Sequence, residues 1–337
     1  MSVSKNNCIS FFKIGLQWLP LRKHKLLKIF SSIQEFNTSS GTVVTLGTFD
    51  GVHVGHQSIL KKVISSAKIC ACESLVLTFF PHPRMVLQQD TVIKLLNTIE
   101  EKSALLEKIG IDNLVIHPFD AVFSKLTAEE FVKNILVDKF HVKKIIIGYD
   151  HRFGKDRTAN IDDLIRFGEK YNFEVEQISA QEIDDVSISS TKIRNSLDVG
   201  NVSLANQYLG YDYFFSGTVM EGKKLGRTLG FPTANIKIDQ IYKLIPKNGV
   251  YIVSSEIDNK TVYGMMNIGV NPTVGGVTQS IEVHFFDFQQ NLYTKKIKVA
   301  IHEKIREEQK FPSLDALVLQ LQNDRQTALD YISKRFL

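Results

Sequence analysis

Hydrophobic positions follow two different rhythms along this chain. From residue 42 to about residue 179, short apolar runs at 42–47, 74–80, 113–119, 143–150 and 173–179 alternate with helical segments. Several runs are continuous and rich in Val, Ile and Leu, as strands buried on both faces require. Thr98 with Glu101 and Thr127 with Glu130 match the capping box that opens a helix by satisfying two backbone donors reciprocally. Strand–helix alternation at this spacing predicts an open, parallel, doubly wound α/β sheet of the Rossmann-like kind. After Tyr211 the texture changes. Runs at 213–220, 250–257, 261–268, 281–288 and 295–301 are separated by Gly, Pro and Asn without helical periodicity, which predicts a small antiparallel β-barrel. Ser313 then reads as the N-cap of a C-terminal helix, with Leu314, Leu317, Val318, Leu321, Ala328 and Tyr331 at helical spacing. Residues 189–210 are expected to close the first half and lead into the second.

Composition adds little to this division and removes some functions. The 337 residues are 43% hydrophobic and 23% charged, ordinary values for a globular chain long enough for two cores. A net charge of +5 suits anionic small molecules and is too weak to argue for a nucleic-acid groove. No apolar stretch is long enough to span a bilayer. Three cysteines, Cys8, Cys70 and Cys72, form no disulfide framework, so a reducing cytoplasm is the expected setting. Lys5, Lys13, Arg22, Lys23, Lys25 and Lys28 precede the first acidic residue, Glu35, and no small-residue cleavage site follows the apolar piece at 11–21. Residues 1–26 are therefore expected to be a disordered basic extension or a mis-assigned start rather than a targeting signal.

The densest chemical signal is Gly47-Thr-Phe-Asp-Gly-Val-His-Val-Gly-His56, where the first strand should end and a helix should begin. Ligands of open α/β sheets bind at the carboxyl ends of strands. Gly47, Gly51 and Gly55 allow close backbone approach to phosphate, and Phe49 and Asp50 belong to the same turn. His53 and His56, three apart, can donate to one α-phosphate and stabilise the charge that builds on it during transfer. The same pair could instead be metal ligands or include a satisfied core histidine. Ser189, Ser190 and Thr191, with Arg194 one turn on, could clamp the departing phosphates, although hydroxyls at a helix start are often only caps. Residues 148–154, with Lys155 and Arg157, follow another strand and could equally be a solvated loop.

In the second half, residues 217–235 carry glycines at Gly217, Gly222, Gly226 and Gly230, and basic residues at Lys223, Lys224 and Arg227, a plausible phosphate cradle without a Walker motif. Thr233 and Asn235, two apart on an extended backbone, offer neutral oxygens to a Mg²⁺ ion that keeps several waters. Glu282 sits mid-strand. It reads equally well as a general base for an attacking hydroxyl or as a solvent-facing strand residue.

Taken together, these motifs resemble the prokaryotic-type bifunctional riboflavin kinase/FAD synthetases from about Leu27 to Leu337. The resemblance rests on the loop at 47–56, Phe79-Phe-Pro-His-Pro83, residues 148–154, the cluster at 188–194, Gly226-Arg-Thr-Leu-Gly-Phe-Pro-Thr-Ala-Asn235, Pro246-Lys-Asn-Gly-Val-Tyr251, Asn267-Ile-Gly-Val-Asn-Pro-Thr273 and Ile281-Glu-Val-His-Phe-Phe-Asp-Phe288. The chain departs from the family's commoner pattern at His151, Thr158 and Ala159. The resemblance implies an FMN adenylyltransferase at 27–210, and at 211–337 a riboflavin kinase built on a six-stranded barrel, both using ATP, with riboflavin, FMN and FAD as substrate, intermediate and product. It implies that His53 and His56 act on the α-phosphate and that Ser189, Ser190, Thr191 and Arg194 hold ATP phosphates. Asp150, Arg157, Gly230, Phe231, Pro232 and Arg306 would face flavin, Thr233 and Asn235 would bind Mg²⁺, and Glu282 would be the catalytic base. Small-molecule partners are expected, with neither nucleic acid nor membrane, and self-association is left open.

Overall fold

The computed structural model describes residues 26–87, 93–148, 152–179, 188–222, 225–273 and 276–336. Six parallel strands form the first sheet: β1 (Lys28–Phe30), β2 (Thr42–Leu46), β3 (Glu73–Phe79), β4 (Asn113–His117), β5 (Val142–Gly148) and β6 (Glu174–Ile178). Their order is β1-β4-β3-β2-β5-β6, so the chain winds outward from β2 in one direction and then returns to its other side. That reversal opens a crevice at the carboxyl ends of β2 and β5. Both faces of the sheet are covered, and β2 shows how. Val43 joins the apolar cluster of Leu60, Val63 and Leu106, whereas Val44 and Leu46 join that of Phe36, Leu136 and Phe140. The edge strand β1 was not expected. Three residues are too few for a periodic signal, and pairing with Asn113–Val115 makes them a strand.

Both expected capping boxes are present, at the start of helix Ile99–Ile109 and at Thr127, where a short helix runs on into a π-helical stretch at Phe131–Val137. Helix Val54–Ile69 packs Ile59, Leu60, Val63 and Ala67 on the sheet and begins at His53, inside the glycine-rich loop.

The second half is a closed antiparallel barrel of β7 (Phe214–Met220), β8 (Ala234–Lys237), β9 (Gly249–Ile257), β10 (Lys260–Thr273), β11 (Gly276–Phe285) and β12 (Lys296–Arg306), in the order β10-β11-β8-β7-β12-β9. Strand β8 begins at the end of the motif at 226–235 and was concealed by its polar residues Asn235 and Lys237. Inward residues such as Phe215, Val253, Ile281, Val283 and Val299 fill the interior. Helix Leu314–Phe336, with Ser313 Oγ accepting from Ala316 N, covers the outside through Ala328 and Ile332 against Ile252, Met265 and Phe286.

The two halves are joined by more than the connecting chain. Helices Ser190–Asp198 and Val202–Leu209 place Ile193, Leu197, Val202 and Leu209 in the same apolar cluster as the barrel interior. Leu95 pairs with Lys243, donating to Tyr242 O at 2.7 Å and accepting from Leu244 N at 2.8 Å. Lys243, 2% exposed, extends its Nζ to Glu101 Oε2 at 2.7 Å, to Phe214 O at 2.8 Å and to Leu96 O. Glu101 Oε1 accepts from Ser216 N at 2.8 Å, so this capping residue also anchors β7. Removing one partner of a buried ion pair strands the other charge and typically costs about 3–5 kcal/mol. Lys243→Met should therefore lower the urea midpoint by a loss of that order, and adding Glu101→Gln should recover part of it. An unchanged midpoint in the single variant would show that the pair does not hold the halves together.

Candidate active site

The loop after β2 is built from backbone conformations that few side chains adopt. Phe49, Gly51 and Val52 have φ of 46°, 86° and 37°. Left-handed geometry at Phe and at β-branched Val is strained by roughly 1–3 kcal/mol each. At Gly51 a Cβ would also lie 2.6 Å from Leu96 Cδ1. The strain is held by bonds from five other segments. Thr48 O accepts from Lys102 Nζ at 2.7 Å and from Thr78 Oγ1 at 3.2 Å, Asp50 O from Ser190 Oγ at 2.8 Å, Gly51 O from Tyr211 OH at 2.6 Å, and Val52 O from Gln57 Nε2 at 2.9 Å. With these carbonyls engaged, the loop is preorganised for an anion at the start of the following helix.

Asp50 closes the arrangement. Its side chain is buried, with Oδ1 accepting from Leu96 N at 2.9 Å and Oδ2 from Arg194 at 2.6 Å. Burial raises its pKa, while Lys102 and Arg194 pull it down. Asp50 and Arg194, both expected at phosphate, are thus bonded to each other. Ser189 Oγ caps its helix at Lys192 N, Ser190 ties the loop, and Thr191 is exposed.

His53 and His56 stack with ring centroids 3.6 Å apart and planes 20° from parallel. His53 Nδ1 accepts from His56 N at 3.4 Å, so in the neutral ring the proton sits on Nε2, which remains a donor. Burial lowers the His53 pKa to about 4, and burial, followed by the neighbouring His53 and then Lys102, holds His56 well below the ordinary histidine range. His56 Nδ1 is buried with no hydrogen-bond partner among the described residues. His82, from the Phe79–Pro83 motif, has its pKa lowered to about 4 by burial and then by Lys102, Arg194 and Arg84, which places it in the same group. Lys102 and His82 went unnoticed as site residues. Lys102 adjoins a capping box, and nothing local indicates which way its side chain points. Asp150 and His151 lie outside the described residues, as does the side chain of Arg157. The expected extension at 1–26 falls almost entirely outside them too.

The second site lies on the outer face of the barrel. Along β11, Ile281, Val283 and Phe285 point into the core, which turns Glu282 and His284 outward. Glu282 stands opposite Asn235 of β8 and Asn267 of β10, and Thr233 Oγ1 donates to its Oε2 at 3.3 Å. Gly222 approaches so closely that a Cβ there would meet Asn235 Nδ2 at 2.2 Å. Gly226 accepts from Phe231 N at 2.8 Å, and its own Cβ would collide with Phe231 O at 2.3 Å. Gly230 takes the left-handed conformation, φ 81°, that turns the chain toward Phe231 and Pro232. Gly217 presses against β8, Arg227 is exposed, and Lys223 lies outside the described residues. His284 Nδ1 lies 2.8 Å from Pro232 O, so this ring, also unnoticed in the sequence, braces the segment that carries Thr233. Arg306, expected at the flavin, is gripped by Asp324, Nε to both oxygens at 3.0 Å and Nη2 to Oδ2 at 2.8 Å. No group of three or more His, Cys, Asp or Glu able to hold a metal occurs among the described residues.

A glycine-rich loop at the switch point of a parallel sheet, followed by a barrel with a carboxylate and neutral oxygens on its outer face, gives the chain two candidate sites in two parts. Residues 35–192 match the family model for FAD synthetase, and residues 209–332 that for riboflavin kinase. The bifunctional riboflavin kinase/FMN adenylyltransferase of Listeria monocytogenes is 38% identical over 299 residues, 88% of this chain and 94% of that protein. Its Escherichia coli K12 counterpart is 37% identical over 292 residues, 86% and 93% of the two chains. A crystal structure described as a macrolide-efflux protein from Streptococcus pneumoniae is 30% identical with a TM-score of 0.83, covering 93% of this chain and all of that one. Among the described residues of this chain, no helix is long and apolar enough to cross a membrane. The chain belongs to the bifunctional riboflavin kinase/FMN adenylyltransferase family. It is an enzyme with both activities, FAD synthetase in the first part and riboflavin kinase in the second.

The histidine environment predicts a titration. His53 should show an NMR midpoint near pH 4 and remain neutral through neutral pH. Because the unfolded ring binds its proton at about 6.5, this group favours the fold above that pH, and its contribution is lost as pH falls toward about 4. A midpoint near the ordinary value would contradict a buried, stacked ring.

Proposed function

We propose that the two reactions run at the two sites just described, with phosphorylation on the outer face of the barrel and adenylyl transfer at the loop after β2. In the barrel, Glu282 accepts the proton of the ribityl 5′-hydroxyl as that oxygen attacks the γ-phosphorus of ATP, and ADP leaves. The observation that carries this reading is the convergence of Glu282, Thr233 and Asn235 from two strands and a turn, with Thr233 bonded to the carboxylate. Flavin binding by itself requires no base. Thr233 and Asn235 offer hard oxygen donors to Mg²⁺, beside a glycine that leaves their cradle open. When bound, the ion would neutralise charge on the transferring phosphates. Gly217, Gly222, Gly226 and Arg227 line the path of the phosphates, Lys223 serves them as a cation of the same motif, and Gly230, Phe231 and Pro232 support the flavin.

At the loop, a phosphate oxygen of FMN attacks the α-phosphorus of ATP and pyrophosphate leaves. Neutral His53 and His56 hold the α-phosphate oxygens, with His53 donating through Nε2–H as charge builds there. Gly47, Phe49, Gly51 and Gly55 shape the cradle, and Asp50 fixes it. Ser189, Ser190, Thr191 and Arg194 lie at the departing phosphates, and recognition of FMN is the role we assign to Asp150 and Arg157. We place the division between the halves at 210/211, in keeping with family matches that end at 192 and resume at 209. A cytoplasmic setting is supported by free cysteines at Cys70 and Cys72.

Chromatography of products tests the assignment. Glu282→Gln should reduce FMN formation from riboflavin by about 10²-fold or more, since general-base contributions are typically of that size, while supplied FMN is still converted to FAD. His56→Ala should do the reverse. Loss of both reactions in either folded variant would refute two separate sites.

A further inference from the structure

Beneath the transfer loop lies a lysine with no counter-charge of its own among the described residues. Lys102 is 4% exposed, and its ammonium donates to the Thr48 carbonyl at 2.7 Å. A buried ammonium is costly unless an opposite charge compensates it. Asp50 is the carboxylate that faces it, and Asp50 is itself bonded by Arg194 at 2.6 Å. Two cations therefore share one anion. The other titratable groups facing Lys102 are His56 and His82, which experience it as like charge and so supply no compensation. The neighbouring carboxylate on the same helix, Glu101, is turned the other way and committed to Lys243. Burial brings the Lys102 pKa down to about 8, which leaves the group charged at neutral pH.

We propose that Lys102 is a positioning residue of the adenylyl-transfer reaction, holding the Thr48 carbonyl and lending the loop a fixed positive charge that a triphosphate neutralises. The proposal rests on the reading that the His53–His56 loop is the adenylyl-transfer site. Lys102 acts on the reaction through the loop and through the field at His56. Burial does most to keep that imidazole neutral, the stacked His53 adds to it, and the ammonium, by disfavouring a further positive charge, contributes in the same direction.

The experiment compares Lys102→Met, Lys102→Gln and Lys102→Arg in the full chain, with conversion of supplied FMN to FAD, riboflavin phosphorylation and NMR titration of the histidines as readouts. Phosphorylation by the same chain serves as the control for folding. Lys102→Met should lower kcat for FAD formation at least tenfold, leave phosphorylation within twofold, and raise the titration midpoints of His56 and His82. Lys102→Arg should restore most of the rate. Lys102→Gln, which keeps a donor for Thr48 but no charge, should not. Where the Met variant loses phosphorylation as well, the comparison of Gln with Arg decides. Equal activity of those two, or unmoved histidine midpoints, would overturn the role of the charge. His56→Ala measured in parallel separates the two layers. If it retains FAD formation, the site reading fails; if it loses FAD formation while Lys102→Met does not, only the Lys102 proposal fails.

Discussion

The ion pair between Asp50 and Arg194, closed at 2.6 Å inside the protein, is the contact on which the first site depends. It joins the turn after β2 to helix Ser190–Asp198, 144 residues further along the chain. The turn includes Phe49 and Val52 at positive φ, a conformation it would abandon as a free peptide. Asp50 spends both oxygens on neighbours, and its carbonyl takes a third bond from Ser190. Burying this carboxylate is offset by those bonds, and the result is a loop whose shape does not wait for a ligand. Preorganisation of this kind spares the reaction the reorganisation that water would need.

In the barrel the constraint is alternation. Because side chains on a strand point to opposite faces in turn, packing Ile281, Val283 and Phe285 inward forces Glu282 and His284 onto one outer face. A one-residue slip would bury the carboxylate and expose the core, so the register that stabilises the barrel also aims Glu282. Glycines bring the preceding segment close enough to cover it. Gly222 lies against Asn235 and Gly226 against Phe231, with no room for a Cβ at either position.

Much of this was legible in the residues alone. Both rhythms, the parallel sheet, the barrel, the capping boxes and the C-terminal helix are local signals, written within a few residues of where they act. The short edge strand β1 and the polar strand β8 lacked such a signal and form through pairing with distant partners. The site divides in the same way. His53, His56, Thr233, Asn235 and Glu282 stand in dense motifs and were nominated from them. Lys102, His82 and His284 gain their roles from tertiary contacts. Arg306 and Arg194 likewise stand in ion pairs with Asp324 and Asp50, partners that no local signal discloses.

The buried Lys243–Glu101 contact has a bearing on how independent the two halves are. Two enzymes on one chain suggest modules that evolution, or an engineer, could exchange freely. Here, however, a first half cut away at 210 would carry Glu101 without its principal counter-charge, and Leu96 would lose the apolar neighbours it shares with the barrel. The barrel would in turn keep a lysine in a dry pocket, facing from its own half the Phe214 carbonyl and the rings of Tyr213 and Phe214 but no carboxylate bonded to it. Each half is thus complementary to its own partner, and a chimera joining halves from different relatives would be expected to succeed only where this lysine and glutamate travel together.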